Sequence, residues 1–138
     1  MFAGNVQGFQ HLGLPVTNIA RSREFYERLG FRAVFETTLP AEGGAIQVAM
    51  LDLNGFILEL YQLAGADRAE IAARGDGHVD HLALNVADIE QAWEAARAAG
   101  LTPLEEAPMY LPFWGKGCKY FTVRGPDGEK VEFNQILG

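Results

Sequence analysis

Apolar residues recur at every second position near the start of the chain, which predicts a strand over residues 8–16. A helix with one apolar stripe is expected next. It would begin after Thr17 or Asn18, whose side chains cap helices, and end at Gly30. The same order returns in the second half of the chain, where the second helix is expected to begin at Asp88. The pattern therefore predicts a module that is used twice.

Extended patterns follow each helix, three in each half of the chain. They cover residues 31–38, 45–52 and 56–63, and then 102–106, 119–123 and 130–136. Each half is thus expected to form a β-α-β-β-β module, over about 1–63 and 78–138. The linker between them, 64–77, is rich in small and charged residues and includes a short helical pattern at 67–73.

With 138 residues the chain has the length of a single domain, and modules this short cannot bury both faces of their own sheets. We therefore predict an α+β fold in which two tandem β-α-β-β-β modules form a curved mixed sheet around a cleft. The helices would lie on the outer face. This arrangement leaves the inner face for function.

Composition and charge exclude several classes of protein. A content of 49% hydrophobic and 21% charged residues is typical of a globular domain. The net charge of −7 opposes nucleic-acid binding, which depends on Lys and Arg. The chain has no apolar run of membrane-spanning length and no signal-peptide pattern, so we expect a cytoplasmic protein without a membrane partner. The single cysteine, Cys118, is interpreted as a half-buried strand residue.

The inner faces carry matched polar residues. His11 and His81 open equivalent strands, and Glu59 and Glu132 lie at equivalent places in the last strand of each half. The period of two puts each His on the same face as the Glu of its module. Two imidazoles and two carboxylates suit Ni²⁺, Zn²⁺, Co²⁺ or Fe²⁺, and they leave two of six coordination positions open. We therefore predict one metal site formed by His11, Glu59, His81 and Glu132.

Other residues are expected to line a pocket for a small-molecule substrate. Some lie on the same strand faces as the predicted metal ligands, and others lie in segment 108–117, which is rich in aromatic residues, proline and glycine. That segment has the composition of a loop over a ligand pocket, and a hydrophobic dimer contact would explain it equally well. The predicted pocket residues are Tyr61, Asn85, Tyr110, Phe113, Trp114, Lys116 and Asn134.

Several of these motifs are shared with a known family. The chain resembles the vicinal oxygen chelate superfamily, also called glyoxalase/bleomycin resistance/dioxygenase proteins, over nearly its whole length. The resemblance implies paired β-α-β-β-β modules around a metal-containing cup, commonly in a homodimer. It rests on His11, on Arg21-Ser22-Arg23-Glu24-Phe25-Tyr26 and Leu29-Gly30-Phe31, on Asp80-His81-Leu82-Ala83, and on Pro126-Asp127-Gly128 before Glu132.

The order His, Glu, His, Glu is most similar to that of bacterial glyoxalase I. Methylmalonyl-CoA epimerases usually have Gln where Glu59 stands. The resemblance thus implies a metal-dependent lyase or isomerase with enediolate chemistry, in which Glu132 is the expected base and Glu59 the second catalytic carboxylate. One alternative is an Fe²⁺ extradiol-type dioxygenase, in which Glu59 would not ligate. Another is a drug- or metabolite-binding protein without a metal, as in bleomycin resistance.

The substrate part of the pattern differs from that family. Glyoxalase I enzymes usually carry an Arg four residues after the first His and an Asn four residues after the first Glu, both for glutathione. Pro15 and Leu63 stand at those positions here. The aromatic segment 110–114 also replaces a Gly- and Thr-rich one. We therefore expect a substrate other than a glutathione adduct, with apolar or aromatic character.

Overall fold

The computed structural model describes residues 11–76, 79, 81–112 and 116–138. The chain divides into two compact units between Ala73 and Arg74. The first unit contains β1 (Leu12–Pro15), α1 (Ile19–Arg28), β2 (Arg32–Ala41), β3 (Gly44–Leu53), β4 (Phe56–Gln62) and α2 (Gly65–Ala73). The second contains β5 (His81–Asn85), α3 (Ile89–Ala98), β6 (Met109–Leu111), β7 (Cys118–Arg124) and β8 (Lys130–Ile136). The predicted α+β fold with two β-α-β-β-β modules is confirmed.

Each unit has its own four-stranded mixed sheet. The strand orders are β1-β4-β3-β2 and β5-β8-β7-β6, so the first and last strands of each module are neighbours. These neighbours run parallel, and the remaining pairs are antiparallel. A parallel pair needs a long crossover connection, which in each module includes a helix and two strands.

The first unit buries one face of its sheet under α1. Leu51, Leu58 and Leu60 are fully buried on this face, and α1 packs against β3 and β4. The rings of Tyr26 and Phe31 meet edge to face at 5.6 Å. Because side chains alternate along a strand, Glu59, which stands between Leu58 and Leu60 on β4, points to the opposite face.

The second unit repeats this arrangement with larger aromatic residues. Phe121 on β7 is fully buried. Its ring stacks on Phe133 at 4.9 Å and meets Trp93 of α3 edge to face at 5.2 Å. The core of this unit thus lies on the helix side, and Glu132 points to the other face.

Both module helices have the same two-part cap. Asn18 accepts a hydrogen bond from Arg21 N at 3.1 Å, and Gln62 Oε1 accepts one from Ile19 N at 2.8 Å. In the second unit, Asp88 and Gln135 Oε1 do the same, the latter at 2.9 Å from Ile89 N. The repeat thus includes a glutamine that ties each helix to the last strand of its module, a feature that sequence analysis missed.

This cap gives a stability prediction. Replacing Gln135 with Met keeps the length of the side chain but removes the acceptor for Ile89 N, and we expect the free energy of unfolding to fall by about 1 kcal/mol. Chemical denaturation of the purified protein measures it. Gln91→Met, at an exposed position in the first turn of the same helix, is the matched control. An equal loss in both variants would contradict the capping role.

One predicted strand is absent. Residues 102–106 are irregular, and the third strand of the second module is β6, which pairs with β7 further along the chain. Leu104 N donates to Thr122 O at 2.8 Å, and the Glu105 carboxylate accepts the hydrogen bond from Thr122 N at 2.6 Å. Because a side chain takes the place of a backbone acceptor, the segment lies beside β7 without continuing the ladder.

Candidate functional site

The first unit brings His11 and Glu59 together. His11 directly precedes β1, and the parallel register places Gly13 opposite Glu59 on β4. His11 Nε2 lies 3.0 Å from Glu59 Oε2, and both side chains are partly buried. A Cβ atom on Gly13 would lie 3.4 Å from the Tyr61 ring and 3.7 Å from Glu59 Oε2. The small residue at position 13 therefore keeps the surroundings of the pair open.

The second unit brings His81 and Glu132 together at the equivalent place. Ala83 lies opposite Glu132 in the parallel pair of β5 and β8, as Gly13 does in the first unit. His81 Nε2 lies 3.6 Å from Glu132 Oε2, with exposed fractions of 45% and 15% for the two side chains. The strand faces that carry the two predicted His–Glu pairs thus have the same register in both units.

Glu132 has a second contact, from Asn134. Asn134 Nδ2 donates a hydrogen bond to Glu132 Oε1 at 2.8 Å and lies 3.7 Å from Cys118 Sγ. Asn134 Oδ1 is buried and has no hydrogen-bond partner among the described residues. Cys118 itself is fully buried, so the prediction of a half-buried cysteine was wrong in degree. Its sulfur lies against the Asn134 amide.

A cavity of ≈ 470 Å³ adjoins the His81–Glu132 pair within the second unit. Its lining includes the predicted pocket residues Asn85 and Asn134. Sequence analysis missed three apolar or aromatic lining residues, Leu111, Tyr120 and Ile136. The pairing of Tyr120 with Asn134 across β7 and β8 brings Tyr120 to this face, and the sequence gives no signal for that register.

The remaining predicted pocket residues are distributed differently. Tyr61 lies beside Gly13 in the first unit. Tyr110 belongs to β6 rather than to a loop; its side chain is exposed, and its hydroxyl donates to Lys116 O at 3.4 Å. The Lys116 side chain is exposed as well. Phe113 and Trp114 lie outside the described residues.

A lysine lies beside the His81–Glu132 pair in the sheet register, and its ammonium group is bound by a carboxylate. Lys130 lies opposite His81, and its Nζ is 3.5 Å from the Asp76 carboxylate. Arg124 also binds Asp76, and its hydrogen bond is the main reason why the pKa of Asp76 lies below its usual value. Lys130 is thus paired with a carboxylate from the segment that follows α2.

Each unit by itself supplies one His–Glu pair. In the described parts of the two units, no group of three or more His, Cys, Asp or Glu side chains is arranged to hold a metal ion. None of the described helices is long and apolar enough to cross a membrane.

Known proteins share both the sequence pattern and the fold. YwbC, an uncharacterized protein of Bacillus subtilis (strain 168), is 31% identical over 126 residues, which are 91% of this chain and 94% of the relative. A glyoxalase family protein from Bacillus cereus has a similar solved structure, with a TM-score of 0.73, 15% identity and coverage of 100% of this chain and 99% of its own. TnmS3, an antibiotic binding protein from Streptomyces sp. CB03234, is similar in fold, with a TM-score of 0.69, 19% identity and coverage of 96% and 98%.

The family model for the Glyoxalase/Bleomycin resistance protein/Dioxygenase superfamily matches residues 8–133 of this chain. The match includes both modules and all four predicted metal ligands. It agrees with the resemblance noted in the sequence and with the fold of the solved relatives. The chain belongs to the glyoxalase/bleomycin resistance protein/dioxygenase superfamily.

Proposed function

We propose that the protein is a divalent-metal-dependent lyase or isomerase in which His11, Glu59, His81 and Glu132 hold one ion. The observation that carries the proposal is the spacing of the donor atoms, 3.0 Å in one pair and 3.6 Å in the other. Two ligands with bonds of about 2.0–2.2 Å to one ion stand about 2.8–3.6 Å apart when they occupy adjacent positions. Both pairs therefore fit adjacent positions on a metal.

The repetition of the pair favours a metal over a simple ion pair. One His–Glu contact on a sheet is explained by a hydrogen bond between the two side chains. Here the same contact occurs in both modules, at the same register and on the face away from the helix. Two nitrogen and two oxygen donors suit Ni²⁺, Zn²⁺, Co²⁺ or Fe²⁺.

The proposed chemistry is proton transfer next to a carbonyl group. A bound ion of this type would supply Lewis-acid stabilisation of the negative charge that develops on oxygen in an enediolate. Glu132 would move the proton, since its carboxylate lines the cavity of the second unit. Glu59 is the second carboxylate of the proposed site, and the contact that the structure shows for it is with His11.

The cavity supports an apolar or aromatic substrate that carries vicinal oxygens. Apart from His81 and Glu132, its described lining residues are uncharged: Ala83, Asn85, Leu111, Tyr120, Asn134 and Ile136. A glutathione adduct would bring carboxylates that need cationic partners. Pro15 and Leu63 add no such partner at the two positions where glyoxalase I binds glutathione.

The test has two measurements. Elemental analysis and titration of the metal-free protein with Ni²⁺, Zn²⁺ and Co²⁺ should give one tightly bound ion per pair of modules. Proton NMR in deuterium oxide should then show exchange of the proton next to the carbonyl of aryl and alkyl 2-hydroxy ketones, abolished by chelator. Binding of no ion, or exchange that chelator leaves unchanged, would overturn the proposal. Oxygen uptake with catechols after anaerobic Fe²⁺ loading would indicate a dioxygenase instead.

A second candidate function is sequestration of a small molecule without a metal. The apolar lining of the cavity favours it, and the antibiotic binding protein TnmS3 shows that the fold is used by a binding protein. Isothermal titration with apolar aromatic compounds, with and without chelator, separates the two functions. Affinity that is independent of chelator, in a protein that takes up no ion, supports sequestration.

We also propose that the protein is a homodimer. The edge strand β2 exposes Phe35 and Leu39 on the same face as Glu59, and exposed apolar side chains on an edge strand favour association. The double substitution Phe35→Glu with Leu39→Glu should reduce the mass in solution from two chains to one, measured by light scattering. Thr38→Glu, on the opposite face of β2, is the control and should leave the mass unchanged. A wild-type protein that is already monomeric would contradict the dimer.

A further inference from the structure

We infer that Asn134 is a positioning residue, which fixes the Glu132 carboxylate so that one oxygen faces the proposed ion and the other is held by the protein. The inference rests on the proposed function. Asn134 Nδ2 donates to Glu132 Oε1 at 2.8 Å, while Oε2 of the same carboxylate faces His81 Nε2 at 3.6 Å. The two oxygens of Glu132 therefore have different partners.

The strand geometry makes this contact direct. Asn134 follows Glu132 by two positions on β8, so both side chains stand on the same face of the sheet. An ionised carboxylate accepts hydrogen bonds and cannot donate them, so it fixes which end of the amide faces it. Because Nδ2 is directed at Glu132 and at Cys118 Sγ, these contacts fix the orientation of the Asn134 amide.

In this orientation the buried acceptor Asn134 Oδ1 is unpaired among the described residues. This distinguishes a positioning role for Asn134 from a role in stabilising the fold. A buried polar atom without a partner lowers stability. An apolar side chain of similar size would avoid that loss. The amide is therefore explained by what it does for Glu132 and not by a contribution to the core.

The first module lacks this arrangement. Tyr61 occupies the position equivalent to Asn134, and its ring lies against the backbone at Gly13. Glu59 has no described amide donor two residues later, and its distance to His11 is shorter, 3.0 Å. The two carboxylates of the proposed site are thus not equivalent: among the described residues, Glu132 has an amide donor on its second oxygen and Glu59 does not. A carboxylate held in this way would keep its place while it accepts a proton, as the proposed base must.

The experiment measures ion affinity rather than turnover. Metal-free wild-type protein and the variant Asn134→Ala are titrated with Co²⁺, whose visible absorption reports the ligand set. We expect the affinity of Asn134→Ala to be about 10- to 100-fold lower than that of the wild type, with the melting temperature of the metal-free protein nearly unchanged. Asn134→Leu, which keeps the branched shape of the side chain, should give the same loss and serves if the alanine variant does not fold.

Two further variants test whether Asn134 acts through Glu132. Gln135→Met is the matched control for ion affinity, because Gln135 is an amide on the same strand whose side chain caps α3 and does not line the cavity; its affinity should stay within about twofold of the wild type. In a Glu132→Ala background, Asn134→Ala should cause no further loss.

The outcomes separate this inference from the proposed function. If the wild type binds Co²⁺ and the Asn134 variants bind it equally well, the positioning role is wrong and the metal site stands. A loss of the same size in the Glu132→Ala background would also overturn it, since Asn134 would then act independently of Glu132. A wild-type protein that binds no ion overturns both.

Discussion

Replacing His81 with alanine is expected to lower the affinity for a borderline divalent ion by more than about 100-fold, since loss of a direct ligand should exceed the loss caused by an outer partner. His11→Ala should cause a loss of similar size. The described part of each unit supplies one pair of donors, His11 with Glu59 or His81 with Glu132. Either variant would leave three protein ligands, and water would fill the position of the missing imidazole. Calorimetric titration of the metal-free variants with Ni²⁺ measures both affinity and stoichiometry.

Stoichiometry distinguishes a shared site from two separate pairs. If one ion is shared, either variant loses tight binding completely. If each pair binds an ion alone, each variant keeps half of the sites at full affinity, which would contradict the shared site. His81→Gln is the control for a purely structural contact, because glutamine can still donate a hydrogen bond to Glu132 but is a poor ligand for these metals. A His81→Gln variant that binds as tightly as the wild type would remove His81 from the site.

The strand faces could be predicted from the sequence because they depend on a period of two. Once His11 and Glu59 were assigned to strands of one module, alternation alone placed them on the same side, and the structure brings their side chains within 3.0 Å. The repeat of the module in the second half of the chain predicted His81 and Glu132 in the same way. Local pattern was sufficient here because the pairing of first and last strands is the same in both modules.

Features that depend on register or on single side-chain contacts could not be predicted. Tyr120 reaches the cavity because it pairs with Asn134 across two strands. The sequence predicts an extended segment at 102–106, but the Glu105 carboxylate accepts the hydrogen bond from Thr122 N that a backbone carbonyl would accept in a regular strand pair. No periodic pattern of apolar and polar residues in the sequence indicates either contact. The role of Asn134 could be predicted in part. The period of two along the strand placed its side chain on the pocket face, but it could not show that the amide faces Glu132.

Glu132→Gln is expected to slow proton transfer by about 10²–10⁴-fold while the ion is retained. The amide oxygen of glutamine can still contact the metal, and its Nε2 can donate to Asn134 Oδ1 once the Asn134 amide has rotated by 180°. What is lost is the ability to take up a proton. The readout is the rate of exchange of the proton next to the substrate carbonyl, followed by NMR at saturating metal, together with the metal content of the same sample.

The companion variant Glu59→Gln makes the assignment specific. Glu59 occupies the equivalent place in the first module, but without a described amide donor on its second oxygen. If Glu132 is the base, the exchange rate should fall far more in Glu132→Gln than in Glu59→Gln, with both variants still loaded with metal. A larger fall in Glu59→Gln would assign the base to the first module, whose carboxylate has its described contact with His11. Full exchange in metal-loaded Glu132→Gln would show that Glu132 does not transfer the proton, because the glutamine amide in that variant cannot act as a base.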